Sequence, residues 1–208
     1  MPTPPNKVCV LIADPPWCFK VRSAKGSKKS PKYDTMSFDE LAALGPTVRG
    51  LAGKHAYLAM WSTAPHLAQA MALLSAWGFE YKTWRAWQKN RLGTGYHCRS
   101  NAEILLIATR GSPGVPGGAK RRTLFSGEPL ASKHSSKPDE VHDWLEAGFP
   151  CAKRIELFAR RWRDGWWCIG GDLGTLLTPN GIVQRANYIE VVAHGQRSLQ
   201  AEGGEPCH

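Results

Sequence analysis

The residues best suited to chemistry stand together early in the chain, as Asp14-Pro15-Pro16-Trp17. They follow Val8–Ala13 (VCVLIA), an unbroken apolar run that predicts a strand buried on both faces of a parallel sheet. Two adjacent prolines fix two φ angles and remove two backbone donors, so the loop presents acceptors. A carboxylate and a proline carbonyl can together hold both hydrogens of one amino group, and a tryptophan face can stack on a planar ring.

This combination suits the exocyclic amine of a nucleobase. The lone pair of such an amine is delocalised into the ring, which makes the nitrogen a poor nucleophile. Two acceptors on its N–H bonds draw the nitrogen toward a tetrahedral geometry and free the lone pair for attack on an electrophilic carbon. The gain lies in positioning and electrostatic preorganisation, with no prior removal of a proton. A turn that merely ends a strand, with an incidental tryptophan, is the alternative these four residues leave open.

Strands and helices alternate along the rest of the chain, which predicts an α/β fold with an open, doubly wound sheet. Further strands are predicted at Ala56–Trp61, Phe79–Trp87, Glu103–Thr109, Ile155–Phe158 and Trp166–Ile169. Ligands of such sheets bind beyond the carboxyl ends of the strands, and Asp14 lies at such an end.

Helix boundaries are marked by capping residues and breakers. Ser37 and Glu40 form a capping box that should open a helix running through Leu44 and stopped by Gly45-Pro46. A second helix is predicted over 65–77, with Gly78 as its stop. A third should be capped by Ser136, carry Pro138 in its first turn and end at Gly148.

A chain of 208 residues predicts one domain, which we place at 1–180, with basic loops at 20–32 and 111–129. The tail at 181–208 receives no predicted structure. No apolar run is long enough for a membrane span, and Met1–Lys7 lacks the apolar core of a signal peptide, so a soluble, cytoplasmic protein is expected. The cysteines form no CxxC pair and the histidines no metal spacing, so no metal is expected.

The formal net charge of +10 indicates a polyanionic partner, because lysines and arginines near phosphates release condensed counterions. Basic residues cluster in Lys20–Lys32, Lys120–Arg122 and Lys153–Arg163. Each cluster alone could be a solubilising surface, but the three together favour nucleic acid. Lys25, Lys28 and Lys29 are the candidate phosphate contacts in the first cluster. Lys89 and Arg91 follow a predicted strand in a polar stretch that either faces the substrate or forms a plain surface loop.

Ordered motifs run through most of the chain. They are ADPPW, Tyr33, TMS (Thr35–Ser37), LAMWST (Leu58–Thr63), AWGF (Ala76–Phe79), WRAWQK (Trp84–Lys89), GTGYHCRSNAE (Gly93–Glu103), ATRG (Ala108–Gly111), SSKPDE (Ser135–Glu140), IELFAR (Ile155–Arg160) and GWWCIGGDL (Gly165–Leu173). In these motifs and their order the sequence resembles the MT-A70-like N6-adenine methyltransferases, from about Val8 to Leu173. Any one motif is weak evidence, whereas the ordered set is highly specific.

The resemblance implies a Rossmann-like fold that uses S-adenosylmethionine to methylate adenine N6 in DNA or RNA. It implies catalytic roles for Asp14, Pro15, Pro16, Trp17 and Tyr33, with Trp61 as part of the substrate wall. It also implies cofactor contacts from Asp14, Lys137, Arg160, Gly171 and Asp172. A lysine that captures the methionine carboxylate is electrostatically reasonable, although for Lys137 taken alone a charge on a helix surface would be favoured.

The position of the acidic loop predicts a permuted order of the methyltransferase fold. One βαβ unit takes roughly thirty residues, and thirteen residues precede Asp14, so the cofactor-binding half is expected to follow the catalytic loop. Methylation of DNA with relaxed specificity and tolerance of single strands is the favoured activity. Methylation of RNA, and a catalytically silent nucleic-acid-binding subunit, are the alternatives. No oligomeric state is predicted.

Overall fold

The computed structural model describes residues 7–18, 34–90, 92–93, 97–117, 121–127, 137–150 and 152–184. These residues form a seven-stranded sheet with helices on both faces, followed by a two-stranded hairpin. In this part of the chain, no helix has both the length and the apolar character needed to cross a membrane. Tyr33, Arg91 and the basic residues Lys25, Lys28 and Lys29 lie outside the described residues.

The first strand, β1 (Val8–Ala13), is buried on both faces, as the apolar run predicted. Val10 and Ile12 pack into the core on one side of the sheet, whereas Leu11 and Ala13 pack into the core on the other. Successive side chains of a strand point to opposite faces of the sheet, so a strand made only of apolar residues exposes apolar surface unless both faces are covered. The strand therefore lies in the interior of the molecule, and the loop after it begins where β1 and its two parallel neighbours in the sheet have their carboxyl ends.

Two short helices follow β1, where the sequence predicted one. Helix α1 (Phe38–Ala43) begins with the predicted capping box, in which Ser37 and Glu40 exchange hydrogen bonds. This helix ends before Gly45-Pro46 as predicted, and a second helix that was not predicted, α2 (Gly45–Leu51), starts there with the proline in its first turn. Proline is tolerated at that position since its missing N–H would have no helical partner, and Val48 and Leu51 of α2 are buried in the core.

The middle of the chain holds three long strands and one helix, namely β2 (Ala52–Ser62), α3 (Leu67–Ala76), β3 (Glu80–Gln88) and β4 (Ala102–Arg110), with a 3₁₀ turn at Ala64–His66 before α3. The predicted glycine stop is present, as Gly78 has φ of 80°. Strand β4 runs antiparallel to both β2 and β3, which the periodicity of the sequence did not indicate.

The glycine-rich stretch 111–129 contains a strand where only a loop was predicted. Strand β5 (Leu124–Ser126) pairs with β3 and forms one edge of the sheet. The next helix, α4 (Glu140–Gly148), begins later than predicted: its N-cap residue is Asp139, so Pro138 precedes the helix, and Ser136 lies outside the described residues.

The last strands complete the sheet, and the seven lie in the order β5-β3-β4-β2-β1-β6-β7. They include β6 (Arg154–Leu157) and β7 (Trp166–Ile169), both parallel to β1. Residues of α1, α2 and α3 pack on one face and residues of α4 on the other. The predicted α/β, Rossmann-like class is confirmed. Strand β1 lies between β2 and β6, so both of its neighbours in the sheet come from later parts of the chain.

A hairpin of β8 (Thr175–Thr178) and β9 (Gly181–Gln184) follows the sheet. The hydroxyl of Thr47 on α2 donates to the carbonyl of Thr178 at 2.7 Å, which fastens this hairpin to the helical face. Regular structure therefore continues to Gln184, the last residue that the structure describes.

Candidate active site

The acidic loop leaves the carboxyl end of β1 in a tight, hydrogen-bonded turn. The Asp14 amide donates to Leu157 O of β6 at 3.3 Å, and the Trp17 amide donates to Pro15 O at 2.9 Å. Pro16 O accepts from the Met36 amide at 2.8 Å, so the segment before α1 braces the loop. Both proline carbonyls thus accept one backbone hydrogen bond, and each oxygen has a second lone pair for another donor.

A buried ion pair joins this loop to the segment before α4. Lys137 Nζ lies 2.6 Å from Asp14 Oδ2 and 3.3 Å from Glu103 Oε2, the latter at the start of β4. The three side chains are 11%, 16% and 9% exposed respectively. Lys137 Nζ also lies 5.6 Å from the centre of the Trp61 ring, within the range of a cation–π contact. Two predicted site residues that are far apart in the sequence, Asp14 and Lys137, are therefore in direct contact.

Burial sets the protonation behaviour of this cluster. Desolvation raises the pKa of Asp14, and the nearby charge of Glu103 adds to that effect, while Lys137 and Arg160 oppose it. Desolvation alone would lower the pKa of Lys137, but the charges of Asp14 and Glu103 outweigh it and raise that pKa. The ammonium therefore stays charged, and the carboxylate of Asp14 is a better proton acceptor than an ordinary aspartate.

Glu103 belongs to this cluster, and sequence reasoning assigned it no role. Besides Lys137, it binds Lys89, whose ammonium group also lies 5.2 Å from the centre of the Trp87 ring. Desolvation would raise the pKa of Glu103, but the two lysines outweigh it and lower that pKa. One sequence signal pointed to it: Glu103 is a single acid at the start of an otherwise apolar strand. Lys89, predicted to contact the substrate, pairs with Glu103 and has a side chain that is 34% exposed.

The two predicted aromatic residues lie against each other. Trp17 and Trp61 are both buried, and Trp17 Nε1 donates to Trp61 O at 3.3 Å. The imidazole of His66 stacks on the Trp17 indole, with ring centres 5.4 Å apart and planes 14° apart. His66 is a second residue that sequence reasoning missed, because the spacing of the histidines gave no indication of an aromatic partner.

The predicted cofactor residues after β6 and β7 lie at the same edge of the sheet. Phe158, which follows β6, adopts a left-handed φ of 64°, a conformation that is strained for a bulky side chain and is concentrated at functional sites. Arg160 lies close enough for its charge to lower the pKa of Asp14. Gly171 and Asp172 form a 3₁₀ turn just after β7, with the Asp172 side chain exposed.

Gly170, immediately before that turn, brings two backbones into close contact. A Cβ atom built there would lie 1.9 Å from the carbonyl oxygen of Ala159. The Gly170 amide also donates to the Thr175 hydroxyl at 3.0 Å. A side chain at this position would push the turn at residues 171–173 away from the segment after β6 that carries Ala159 and Arg160, so glycine is required here.

The arrangement can hold a charged small molecule beside an amine-binding loop. Lys137 supplies a buried ammonium for a carboxylate, and Asp14 and Asp172 supply carboxylates for ammonium or hydroxyl groups. Among the predicted site residues that the structure describes, Asp14, Trp17, Trp61, Lys89 and Lys137 form one connected cluster.

Comparison with known proteins identifies related sequences. The MT-A70 family model matches residues 8–172. The Type II methyltransferase M.MunI of Mycoplasma sp is 34% identical over 182 residues, which cover 78% of this chain and 76% of that protein. A putative N(6)-adenosine-methyltransferase MT-A70-like protein of Medicago truncatula is 28% identical, and the match covers 86% of this chain but 29% of that protein. The METTL3 catalytic subunit of an N(6)-adenosine-methyltransferase of Homo sapiens is 27% identical, and 28% of its length is covered.

Proposed function

The chain belongs to the MT-A70 family of S-adenosylmethionine-dependent adenine-N6 methyltransferases, and on that premise we propose that its substrate is adenine in DNA, with relaxed sequence specificity and tolerance of single strands. The observation that supports the methyl-transfer chemistry is the buried contact between Asp14 and Lys137, since it joins the loop proposed to bind the amine to the cation proposed to bind the cofactor carboxylate.

The choice of DNA rests on the coverage of the relatives. The chain spans about three quarters of M.MunI, a Type II methyltransferase, and this similarity favours DNA as the substrate. It spans less than a third of the N(6)-adenosine-methyltransferases of Medicago truncatula and Homo sapiens, so most of the length of those proteins has no counterpart in the match. RNA is therefore the second candidate substrate.

The chemistry we assign to the loop follows from its acceptors. The Asp14 carboxylate accepts one N–H of the adenine amine, and the second lone pair of a proline carbonyl accepts the other. Holding both N–H bonds turns the nitrogen lone pair out of the ring plane toward the methyl donor. The methylated nitrogen must then lose a proton, and the raised pKa of Asp14 suits a carboxylate that receives it.

The same cluster provides for S-adenosylmethionine, which supplies the electrophilic methyl group when bound. Lys137 would bind its carboxylate, with Arg160 beside it, and Asp172 would accept hydrogen bonds from ribose hydroxyls at the turn that includes Gly171. The buried ammonium of Lys137 and the close backbone approach at Gly170 fit a ligand of this kind. Glu103 pairs with Lys137, and Lys89 pairs with Glu103 in turn.

Methyl transfer from tritiated S-adenosylmethionine to matched DNA and RNA oligonucleotides, each single-stranded and annealed, tests the proposal. We expect transfer to DNA that exceeds transfer to RNA of the same sequence. Asp14→Ala should lower turnover about a hundredfold, the scale of losing one preorganised electrostatic contact, while Asp164→Ala, at an exposed aspartate, should retain it. Normal turnover by Asp14→Ala would refute the assignment, and absence of transfer to every substrate would favour the silent nucleic-acid-binding subunit.

Unpaired adenines should react at least as fast as paired ones. The amine must reach the acidic loop beside Trp17, and a base inside a duplex must first flip out, which costs a few kcal/mol. Rate constants for one adenine-containing DNA strand, alone and annealed to its complement, measure this directly. A strong preference for the annealed strand within one short motif would contradict relaxed specificity.

The basic segment 20–32 is the proposed phosphate contact. Replacing Lys25, Lys28, Lys29 and Lys32 with alanine should weaken binding to all DNA sequences and reduce the salt dependence by about one unit of slope for each lost phosphate contact. Turnover at saturating DNA should change little, and Tyr33, which lies close in sequence, is left intact. An unchanged slope would mean that the segment only aids solubility.

A further inference from the structure

His66 lies outside the predicted site but contacts its tryptophan. It ends the 3₁₀ turn after β2 and is 5% exposed. Its ring covers one face of the Trp17 indole, nearly parallel to it at 5.4 Å. Trp61 O, the acceptor for Trp17 Nε1, lies near the end of β2. The end of β2 and the turn that follows it therefore contact both an edge and a face of this indole.

The hydrogen bonds of His66 determine its tautomer and its anchoring points. Nε2 lies 3.1 Å from Cys18 O, and since a carbonyl can only accept, Nε2 carries the proton and donates. Nδ1 lies 2.8 Å from the Thr63 hydroxyl. Burial lowers the pKa of His66, so the ring is neutral at physiological pH and Nδ1 accepts from Thr63. His66 thus binds the backbone of the residue directly after Trp17.

We propose that His66 is a positioning residue, which holds Trp17 and the Cys18 backbone so that the Asp14–Trp17 loop keeps the geometry needed to receive the adenine amine. The inference rests on the proposed function of that loop. The indole packs in the core and has one hydrogen bond, 3.3 Å to Trp61 O, and the imidazole of His66 adds a flat partner that restrains the tilt of the ring. Misplacement of a catalytic group by about 1 Å can cost a hundredfold in rate.

A purely structural role would be the alternative, and the chain contains a matched control for it. His142 on α4 is also 5% exposed. Its Nε2 lies 2.9 Å from Glu156 Oε2, and its ring packs edge-on against Trp166 at 5.0 Å. His142 therefore has the same burial, a polar partner and an aromatic neighbour, but it does not touch the acidic loop.

The test compares His66→Ala, His66→Phe and His142→Phe for thermal stability, kcat and the KM for S-adenosylmethionine. We expect His66→Ala to lower kcat at least about tenfold with the cofactor KM within about twofold, because Lys137 and Arg160 are untouched. His66→Phe, which keeps a flat ring but loses both hydrogen bonds, should recover part of kcat. His142→Phe should lower stability to a similar degree and leave kcat unchanged. A kcat for His66→Ala within about twofold of wild type, or an equal loss of kcat in His142→Phe, would overturn the proposal.

A measurement that does not depend on activity separates this inference from the proposed function. Protein labelled with 5-fluorotryptophan gives one fluorine NMR signal for each tryptophan, and Trp17→Phe identifies the signal of Trp17. His66→Ala should shift and broaden that signal, whereas His142→Phe should leave it in place. If the wild-type protein methylates no nucleic acid, the proposed function fails while this signal still tests the positioning. An unchanged Trp17 signal in His66→Ala would refute the positioning whatever the activity.

Discussion

Replacing Lys137 with methionine probes the centre of the site. The substitution keeps the side-chain volume similar but leaves Asp14 buried without the cation that lies 2.6 Å away. Removing one partner of a buried ion pair costs about 3–5 kcal/mol. For a protein of this size each kcal/mol lowers the melting temperature by about 2–4 °C, so Lys137→Met should melt roughly 6–20 °C below wild type. It should also lose binding of S-adenosylmethionine in isothermal titration calorimetry.

Two further variants make this test specific. Lys82→Met breaks an ion pair of the same length, 2.6 Å to Glu80, but those side chains are 43% and 78% exposed. Such a surface pair is worth about 0–1 kcal/mol, so this variant should melt within a few degrees of wild type and bind the cofactor normally. The double variant Asp14→Asn with Lys137→Met also removes the carboxylate charge that Lys137→Met leaves unpaired. It should regain most of the thermal stability, but it should recover neither cofactor binding nor methyl transfer. If Lys137→Met and Lys82→Met melt at the same temperature, Lys137 and Asp14 do not form a buried ion pair.

Three more outcomes follow from the geometry. Gly170→Ala should lower the free energy of unfolding by about 1–3 kcal/mol, because the added methyl group overpacks against Ala159 O. Gly171→Ala should be tolerated, since its added Cβ would have its nearest neighbour at 3.8 Å. Thermal melts of the two variants compare these effects. Because burial raises the pKa of Asp14 and only the ionised form accepts the amine, kcat/KM should fall as pH drops through a value above the ordinary 3.9 or so, and an acid limb at or below 3.9 in folded protein would contradict this. Ser37→Ala should cost about 1 kcal/mol in chemical denaturation through loss of the cap, and a cost near zero would show that the capping box contributes little to α1.

Local patterns determined several elements directly. The apolar run at residues 8–13, the capping box at Ser37 and the glycine at residue 78 all gave correct boundaries. Such signals work because strand periodicity, capping and left-handed glycines depend on residues only a few positions apart. The acidic loop belongs with them, since two consecutive prolines constrain the backbone whatever surrounds them.

Where a local signal suits two structures, packing made the choice. Gly45-Pro46 fits the end of one helix as well as the first turn of the next, and burial of Val48 and Leu51 favoured a second helix. The antiparallel direction of β4 had no signature either, because an apolar strand buried on both faces reads the same in both directions.

The contacts that complete the site were decided by the tertiary structure. Lys137 and Asp14 are 123 positions apart, and His66 and Cys18 are 48 apart. The resemblance named both members of the first pair, but their contact, and the parts played by Glu103 and His66, depend on which strands become neighbours. The residues next to a charged or aromatic side chain in the sequence do not indicate its distant partner. The strength of such a contact depends on the burial and the opposite charge that only the assembled sheet provides.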